Sequence, residues 1–426
     1  MKKNNTMIKK LILCFLTISL SGMAYSPKTM AQDPGLNTSI AKLRKGQLTV
    51  QAKRGSKVTV EQVRHEFWFG CAIPNSLAGG MSPDNMKQFK SKFLENFNAA
   101  VPENSFKWIT MEPRRGEVNW AVTDSILSWT DRNHIPLRGH NIFWGKTKYI
   151  QPWLMAMNDD ELKKTLQNRA ESVAKRYKGR FAEYDLNNEM LDENYYQDRL
   201  GPEITKQMAQ WVHNIDPDAK IFLNEHDILI PESPAGNRLA PCMALIRSLL
   251  KQGVPIAGIG IQGHSHLETF DRQALKRGLD SLAIFKIPIR ITEFNMPGRG
   301  YPIGAPQTVL TPEQEITKAK DIVDFYRICF AHPAVEGILM WGFWEGSNWI
   351  PASSLYKRDW SPYPAAEAYH NLIYKEWWTK EFGVADKDGA FKTQAFFGKY
   401  KVTVDGVTKE IDLTKAKGKV TVDFRN

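Results

Sequence analysis

The sequence predicts an α/β protein: a closed, parallel (β/α)8 TIM barrel with a small β appendage built from its N- and C-terminal segments. From Phe67 onward, short apolar runs alternate with longer amphipathic ones, a rhythm typical of parallel strands connected by helices. Polar side chains follow nearly every predicted strand, where a barrel places its chemistry. The 426 residues suffice for one barrel of about 250 residues or more plus an appendage.

Residues 1–31 are predicted to be a secretory signal peptide. Four lysines within the first ten residues precede the apolar run Leu11–Leu20, and Ala24 and Ala31 are candidate cleavage positions. The apolar run is too short to cross a bilayer, and no other run is long enough. The sequence therefore predicts a secreted or periplasmic protein without a membrane span.

Two segments flank the predicted barrel of residues 65–382. Residues 32–64 are expected to form an exposed leader, Gln32–Thr38, and a β-hairpin within Gly46–Val63 that turns at Arg54-Gly55-Ser56. Residues 383–426 break the strand–helix rhythm. Within them, Tyr400–Val404 and Lys419–Phe424 alternate like strands, and Asp405-Gly406 is a hairpin turn signal.

Eight strand and eight helix segments make up the barrel pattern. The predicted strands are Phe67–Ile73, a run ending at Ala100-Val101-Pro102, Ile135–Asn141, Glu183–Asn188, Lys220–Asn224, Ile256–Gln262, Ile289–Thr292 and Val335–Met340. The predicted helices are Ser82–Phe97, Val122–Arg132, Asp159–Tyr177, Glu203–Ile215, Leu239–Lys251, Arg272–Phe285, Pro312–Ala331 and Ala365–Lys380. Ser82 and Pro83 are the expected N-cap and first residue of the first helix. An open doubly wound sheet is the alternative; eight regular units favour closure.

Composition argues against several other classes of protein. The net charge of +11 comes with no Lys/Arg cluster suited to nucleic acid, so no nucleic-acid partner is expected. Cys71, Cys242 and Cys329 are dispersed, which allows at most one disulfide and no C-x-x-C metal site. Gly258–Gly263 matches G-x-G-x-x-G, but these glycines lie within a strand rather than opening a helix. We interpret them as part of a close-packed barrel strand, and no cofactor is expected.

Two carboxylates carry the chemical prediction. Glu189 and Glu293 each stand where a predicted strand meets a loop. Paired carboxylates at one barrel mouth suggest glycoside hydrolysis, and retaining enzymes of this type hold the two groups about 5–5.5 Å apart. The mechanism requires one ionised and one protonated carboxyl and no metal ion.

Further polar and aromatic residues follow the other strands, as expected for a cleft that binds sugar hydroxyls and stacks on sugar rings. These residues are Glu103, Asn104, Lys107, Trp108, His140, Trp144, Asn188, Asn224, Glu225, Gln262, His264 and Trp341.

Several of these motifs, in this order, resemble glycoside hydrolase family 10, the endo-β-1,4-xylanases, over Phe67–Tyr374. They are Glu103-Asn104-Ser-Phe-Lys107-Trp108, Arg138-Gly-His140-Asn-Ile-Phe-Trp144, Asp185-Leu-Asn-Asn188-Glu189, Gly258-Ile-Gly-Ile-Gln262-Gly-His264, Ile291-Thr-Glu293 and Met340-Trp341-Gly, with Trp349. The basic turn before Arg64-His-Glu-Phe67 and the β-rich tail are similar to the plant-type subset.

The resemblance implies a role for each matching residue. Glu189 would be the acid/base and Glu293 the nucleophile. Asn188 would bond the 2-hydroxyl of the sugar being cleaved, and His264 would hydrogen-bond Glu293. The remaining implied substrate-binding residues are Glu103, Asn104 and Lys107 for the next sugar, His140, Trp341 and Trp349 around the reacting sugar, and Trp144 and Gln262.

Two positions depart from the family pattern. Asn295 stands where most members have Asp, which leaves the charge state of His264 open, and Gly145-Lys146 replaces a His after Trp144. The expected activity is that of a secreted retaining endo-xylanase acting on xylan or xylo-oligosaccharides.

Three alternatives stay open: a barrel glycosidase acting on another β-glycan, a catalytically silent carbohydrate-binding protein, and a zinc hydrolase using His140, His264 and His266. No H-E-x-x-H spacing supports the last of these. The oligomeric state is left open.

Overall fold

Eight parallel strands form the central ring of the protein in a computed structural model that describes residues 34–230, 237–300 and 309–425. In chain order they are β1 Trp68–Ile73, β2 Ala99–Pro102, β3 Arg138–Gly139, β4 Glu183–Asn188, β5 Ile221–Glu225, β6 Ile256–Ile261, β7 Ile289–Phe294 and β8 Val335–Met340. They pair in the order β2-β1-β8-β7-β6-β5-β4-β3, and a parallel bridge between Ala100 and Leu137 joins the two ends. The predicted barrel is confirmed. The predicted signal peptide lies outside the described residues.

Helices connect successive strands. The long ones are Pro83–Asn96, Ala121–Arg132, Asp159–Tyr177, Ile204–Ile215, Leu239–Lys251, Arg272–Ala283, Pro312–Phe330 and Pro364–Asn371. Shorter turns of helix are Asn75–Ala78, Trp108–Met111, Thr147–Tyr149, Pro152–Met155, Tyr195–Leu200, Pro351–Ser353 and Leu372–Glu376. Ser82 caps the first long helix, as predicted, by accepting from the Asn85 amide, and Pro83 follows it. Among the described residues, no helix has both the length and the apolar character needed to cross a bilayer.

The glycines of β6 are required by close packing. A Cβ on Gly258 would lie 1.9 Å from the Phe222 ring, and one on Gly260 would lie 2.5 Å from the Leu223 carbonyl oxygen. The interpretation of this segment as a barrel strand rather than a nucleotide-binding loop is confirmed.

The appendage is two small sheets packed face to face. Lys45–Gln51 lies between Ala390–Phe396 and Lys419–Asp423 in one sheet. Lys57–His65 lies between Lys380–Val384 and Gly398–Val404 in the other, and Gly398–Val404 pairs with Val407–Leu413 through the predicted Asp405-Gly406 turn. The shared core includes Leu48, Val50, Val58, Val60 and Val402. Described segments before and after the barrel therefore build this unit together, as predicted.

The predicted hairpin within Gly46–Val63 is wrong. Both strands form, but they belong to different sheets and do not pair with each other. Val50 and Val58 face the same apolar core, and the chain meets this requirement by crossing from one sheet to the other at the turn.

The expected leader Gln32–Thr38 differs in part where the structure describes it. Its residues from Pro34 onward begin a helix, Pro34–Arg44; Gly35 and Thr38 are exposed as expected, whereas Leu36 packs half-buried against the barrel core. Beyond the expected leader, Ile40 of the same helix is buried. The Arg44 guanidinium donates to the carbonyl oxygens of Phe330, His332 and Val335 at 2.8 Å each.

Other bounds differ in detail. β3 is shorter than predicted. The last helix ends earlier than predicted, and Lys380–Val384 pairs with the appendage, so the boundary lies before Lys380 rather than after residue 382. The three described cysteines are buried and unbridged.

Gly260→Ala should lower the free energy of unfolding by about 1–3 kcal/mol, because the added methyl group has no space between β5 and β6. Urea denaturation followed by tryptophan fluorescence measures this change. Gly300→Ala is the control, since its Cβ would meet nothing within 4 Å, and its effect should stay within about 0.5 kcal/mol. Equal denaturation midpoints for the two variants would contradict the packing argument.

Candidate active site

The candidate site lies at the carboxyl ends of β4 to β7, where backbone hydrogen bonds continue the sheet beyond the strands. The Glu189 amide donates to the Asn224 carbonyl at 3.0 Å, the Gln262 amide to the Glu225 carbonyl at 2.9 Å, and the Glu293 amide to the Gln262 carbonyl at 2.7 Å. The ladder of the barrel thus fixes the positions of both predicted carboxylates.

Glu293 is buried and surrounded by donors and positive charge. Asn224 Nδ2 donates to its Oε1 at 2.8 Å, His264 Nε2 lies 3.1 Å from its Oε2, and His140 Nε2 lies 3.8 Å from its Oε1. Burial alone would raise the pKa of Glu293, but His140, His264 and Lys107 together lower it to about 2. Glu293 is therefore ionised at neutral pH.

Glu189 has hydrogen-bond partners different from those of Glu293. Gln262 Nε2 donates to its Oε1 at 2.8 Å, Trp144 Nε1 donates to its Oε2 at 3.2 Å, and Lys146 Nζ lies 3.7 Å from Oε2. The backbone of Glu189 has φ 55°, a left-handed conformation that costs a non-glycine residue energy and is concentrated at functional sites. The sharp turn follows directly after β4.

Trp144 contacts Glu189 through its indole nitrogen and is stacked on another ring. Its indole donates to Glu189, and its ring stacks on Tyr149 with centroids 3.7 Å apart. The Lys107 ammonium lies 5.3 Å from the same ring. One face of Trp144 is thus covered by protein.

The residues after β2 and β8 come together beside the two carboxylates. Lys107 Nζ donates to Asn104 Oδ1 at 2.9 Å and lies 5.6 Å from the Trp341 ring centroid. Burial lowers the pKa of Lys107 and raises that of Glu103. Trp341 contacts the edge of His140, with ring centroids 5.2 Å apart.

Trp349 is 44% exposed and lies against His264, with ring centroids 5.1 Å apart. Contacts and charge interactions thus connect all twelve predicted site residues at this end of the barrel.

Asn224 was noted at a strand end from the sequence without an assigned role, and the structure places it between two predicted site residues. Thr292 Oγ1 donates to Asn224 Oδ1 at 2.6 Å, which orients the amide. Asn224 Nδ2 then donates to both Asn188 Oδ1, at 2.9 Å, and Glu293. Asn188 Nδ2 is left buried, with no acceptor among the described residues. A buried donor without a partner at this position can bind a substrate hydroxyl.

Comparisons with known proteins agree with this geometry. A family profile described as "Glycosyl hydrolase family 10" matches residues 60–372. This chain belongs to glycosyl hydrolase family 10. Endo-1,4-beta-xylanase 1 of Arabidopsis thaliana is 34% identical over 352 residues, covering 82% of this chain and 34% of that protein. Anti-sigma-I factor RsgI6 of Acetivibrio thermocellus is 31% identical over 402 residues, covering 91% and 49%. The chain thus spans half or less of the length of these relatives.

Solved structures share the fold of this family 10 chain. Xylanase 10B from Thermotoga petrophila RKU-1, in complex with xylobiose, superposes with a TM-score of 0.64 at 24% identity, covering 73% of this chain and 95% of that one. Native xylanase 10B from Thermotoga maritima gives a TM-score of 0.64 at 23% identity, covering 73% and 96%.

In this family 10 site, buried residues of the barrel interior fix the orientation of the His140 ring. Its Nδ1 lies 2.9 Å from Asp185 Oδ2, and Arg138 binds the other oxygen of Asp185. Because a carboxylate can only accept, Nδ1 carries a proton and the ring orientation is fixed. Asp185 is part of a motif recognised in the sequence. Its hydrogen bond with His140 could not be predicted from the sequence, because it depends on β3 and β4 lying side by side.

The loop after Trp144 brings a charged cluster to Glu189. A Cβ on Gly145 would lie 3.2 Å from Asn194 Oδ1, and the following residue, Lys146, pairs with both Glu189 and Asp192. Asp192 also pairs with Arg238. Gly145 stands where the family pattern has His, and the ammonium of the next residue, Lys146, lies beside Glu189.

His226 completes this cluster. Burial would lower its pKa, but hydrogen bonds to Asp192 and Asp227 raise it to about 10. Glu189, Asp192 and His226 offer atoms within 4.8 Å of one another, a spacing that could hold a metal ion. Since Lys146 and Arg238 already bind Asp192, their charges oppose a metal cation at this position.

Glu225→Gln should stabilise the protein increasingly as the pH rises. Burial and the charge of Glu189 raise the pKa of Glu225 from 4.5 to about 8, and its Oε1 has no partner among the described residues. Between these pH values the folded state binds more protons than the unfolded state, so wild-type stability falls as pH rises. Melting temperatures should be nearly equal near about pH 5 and higher for the variant near about pH 9.

The exposed Glu268 provides the control for this measurement. Glu268→Gln should change the melting temperature by a similar small amount at both pH values. If the Glu225→Gln difference does not grow with pH, Glu225 is not held in its protonated form.

Proposed function

We propose that this protein is a retaining endo-1,4-β-xylanase that cleaves internal β-1,4-xylosidic bonds of xylan by double displacement. The observation that carries the proposal is the contrast between the two carboxyl groups. Glu293 is held ionised by His140 and His264. Glu189 follows a different strand and accepts a hydrogen bond from Gln262. The names of several plant relatives, endo-1,4-beta-xylanases 1 to 3 of Arabidopsis thaliana, support xylan as the substrate.

The proposed reaction uses each carboxyl twice. The ionised Glu293 attacks the anomeric carbon while the protonated Glu189 donates its proton to the leaving oxygen. The resulting glycosyl-enzyme has a neutral ester at Glu293 and a carboxylate at Glu189. Glu189 then removes a proton from water, which attacks the same carbon and releases Glu293 as a carboxylate. This scheme involves no metal ion or organic cofactor.

The proposed binding of the sugar follows from donors that the protein leaves available. Asn188 Nδ2 is buried without an acceptor and suits the 2-hydroxyl of the sugar being cleaved. Asn104, Lys107 and Glu103 would bind the next sugar, and the Trp341 ring would lie against the reacting one. Gln262 and Trp144 would orient Glu189.

We further propose that the protein is exported. The basic start of the sequence and the apolar run Leu11–Leu20 support a signal peptide within residues 1–31. Detecting the processed protein outside the cytoplasm of the producing cell would test this proposal, and finding it unprocessed inside would contradict it.

Assays of the purified protein on soluble polysaccharides test the substrate. Internal cleavage of β-1,4-xylan should release xylo-oligosaccharides of several lengths, with much slower release of reducing ends from β-glucan and mannan. A faster reaction on glucan or mannan would indicate that the protein is a glycosidase specific for that polysaccharide instead of xylan.

Binding of xylan without cleavage would indicate a silent carbohydrate-binding protein. One relative is named as an anti-sigma factor, so this outcome is a specific alternative.

Glu189→Ala should have an effect that depends on the leaving group. A sugar leaving group needs protonation, so activity on xylan should fall about 10²–10⁴-fold. Dinitrophenolate leaves without protonation, so the first step on a dinitrophenyl xylobioside should be nearly normal and the second slow. Stopped-flow absorbance should then record a burst of phenolate followed by a low steady rate, which azide accelerates.

Glu193→Ala is a matched control because Glu193 is an exposed carboxylate on the same loop. It should react at close to wild-type rates on both substrates. An equal loss on both substrates without a burst in Glu189→Ala would mean that Glu189 only supports the site.

A further inference from the structure

The Glu189 carboxyl group is held by one donor at each of its two oxygens. Gln262 Nε2 donates to Oε1 at 2.8 Å, and Trp144 Nε1 donates to Oε2 at 3.2 Å. Gln262 is buried directly after β6, so the position of its amide is set by the barrel. Trp144 is only half-buried, and the direction of its indole N–H therefore depends on what packs against the ring.

The backbone of Trp144 is fixed by the strand that carries Glu189. Phe143 and Trp144 pair in parallel with Asn187 and Asn188, and the amide of the next residue, Gly145, donates to Asn187 Oδ1 at 3.2 Å. These bonds set the position at which the indole side chain begins. They do not set the two side-chain torsion angles that aim its N–H.

Tyr149 packs on the Trp144 indole and limits those angles. The two rings are stacked, with centroids 3.7 Å apart and planes inclined by 20°. A single helical turn, Thr147–Tyr149, brings the phenol ring back over the indole, and the Tyr149 amide closes this turn by donating to the Lys146 carbonyl at 2.8 Å. The next residue, Ile150, is buried and anchors the end of the turn. Contact along one whole face keeps the indole in its plane.

The other groups near Trp144 are bound elsewhere. The Lys107 ammonium lies 5.3 Å from the indole centroid and donates to Asn104. Lys146 Nζ lies 3.7 Å from Glu189 Oε2, beyond hydrogen-bond distance, and donates to Asp192. Among the described aromatic contacts, Tyr149 is the ring that stacks on Trp144.

We propose, resting on the retaining mechanism above, that Tyr149 is a positioning residue for the acid/base and acts through Trp144. Stacking keeps the indole N–H directed at Oε2, so the Glu189 carboxyl group stays between its two donors. In that position it gives its proton to the leaving oxygen and later takes one from water. Without the phenol ring the indole can turn away, and Glu189 keeps only the bond from Gln262. Tyr149 itself makes and breaks no bond.

The leaving-group dependence of Tyr149→Ala tests this role. On xylan, kcat should fall about 10- to 100-fold with little change in KM, because a displacement of about 1 Å can cost about 100-fold. On a dinitrophenyl xylobioside the first step needs no protonation and should stay near the wild-type rate, which also shows that the variant is folded. Stopped-flow absorbance should then record a burst of phenolate before a slower steady rate. Azide should not accelerate that rate, because the Glu189 carboxylate is still present and repels the anion.

Two matched variants show whether the stacked ring is responsible. Tyr149→Phe keeps the ring and should behave as wild type on both substrates. Phe382→Ala removes a ring that is 65% exposed on the appendage strand Lys380–Val384, and it should also behave as wild type. A loss in Tyr149→Phe equal to that in Tyr149→Ala would overturn the inference, because the hydroxyl group and not the stacked ring would then be required.

A double-mutant cycle tests whether Tyr149 acts through the indole. Trp144→Phe removes the N–H donor, so adding Tyr149→Ala to this variant should lower kcat on xylan no further. Losses that multiply would overturn the inference.

Hydrogen exchange of the Trp144 indole N–H gives a direct readout of its orientation. Its NMR signal, identified in protein labelled with nitrogen-15 tryptophan by its absence from Trp144→Phe, should exchange slowly in wild type and in Tyr149→Phe. Exchange should be faster in Tyr149→Ala, where the N–H is no longer held against Glu189. Equal exchange in all three proteins would overturn the inference.

Failure of the inference and failure of the proposed function give different results. A burst in Glu189→Ala together with an equal loss on both substrates in Tyr149→Ala, or with a rise in KM alone, would overturn the inference and leave the proposed function intact. No cleavage of xylan by the wild-type protein, or no burst in Glu189→Ala, would overturn the proposed function and the inference with it.

Discussion

A buried ion-pair network inside the barrel supports the rest of the structure. Arg138 is completely buried, and its guanidinium is compensated by Glu183 and Asp185 on the adjacent strand. Arg290 pairs with the second oxygen of Glu183 at 2.8 Å. Removing one partner of such a pair leaves an uncompensated buried charge at a cost of about 3–5 kcal/mol. The interior of this barrel is therefore specified by charge as well as by apolar packing.

The same network reaches the chemistry at the barrel mouth. Asp185 orients His140, and the charge of His140 contributes to the low pKa of Glu293. Glu189 and Glu293 share one scaffold, because both follow parallel strands whose ladder continues through Gln262. Their surroundings nevertheless differ: two histidines and one amide donor face Glu293, whereas an amide donor, an indole donor and the Lys146 ammonium face Glu189. Double displacement requires this kind of difference between two groups of the same chemistry.

The sequence predicted those features that depend on local pattern. Strand and helix periodicity located the barrel, and Glu189 and Glu293 could be selected because each ends a strand. Pairing in the appendage could not be predicted, since alternating residues such as Val50 and Val58 indicate strands but not their partners. The role of Asn224 depends on contacts between strands that are distant in the chain. Asn295 was recognised as unusual, but its hydrogen bond from the Trp349 indole, at 3.2 Å, joins residues that are far apart in the chain.

The proposed mechanism has two carboxyls acting by double displacement, and the stereochemistry of the first products is its sharpest test. Proton NMR of xylo-oligosaccharide hydrolysis, recorded before the anomers equilibrate, measures which anomer is released. Double displacement should release the β anomer first, and the α anomer should appear later by mutarotation. Initial release of the α anomer would contradict the assignment of Glu293 as a nucleophile and would imply an inverting arrangement with a wider separation of the carboxyls.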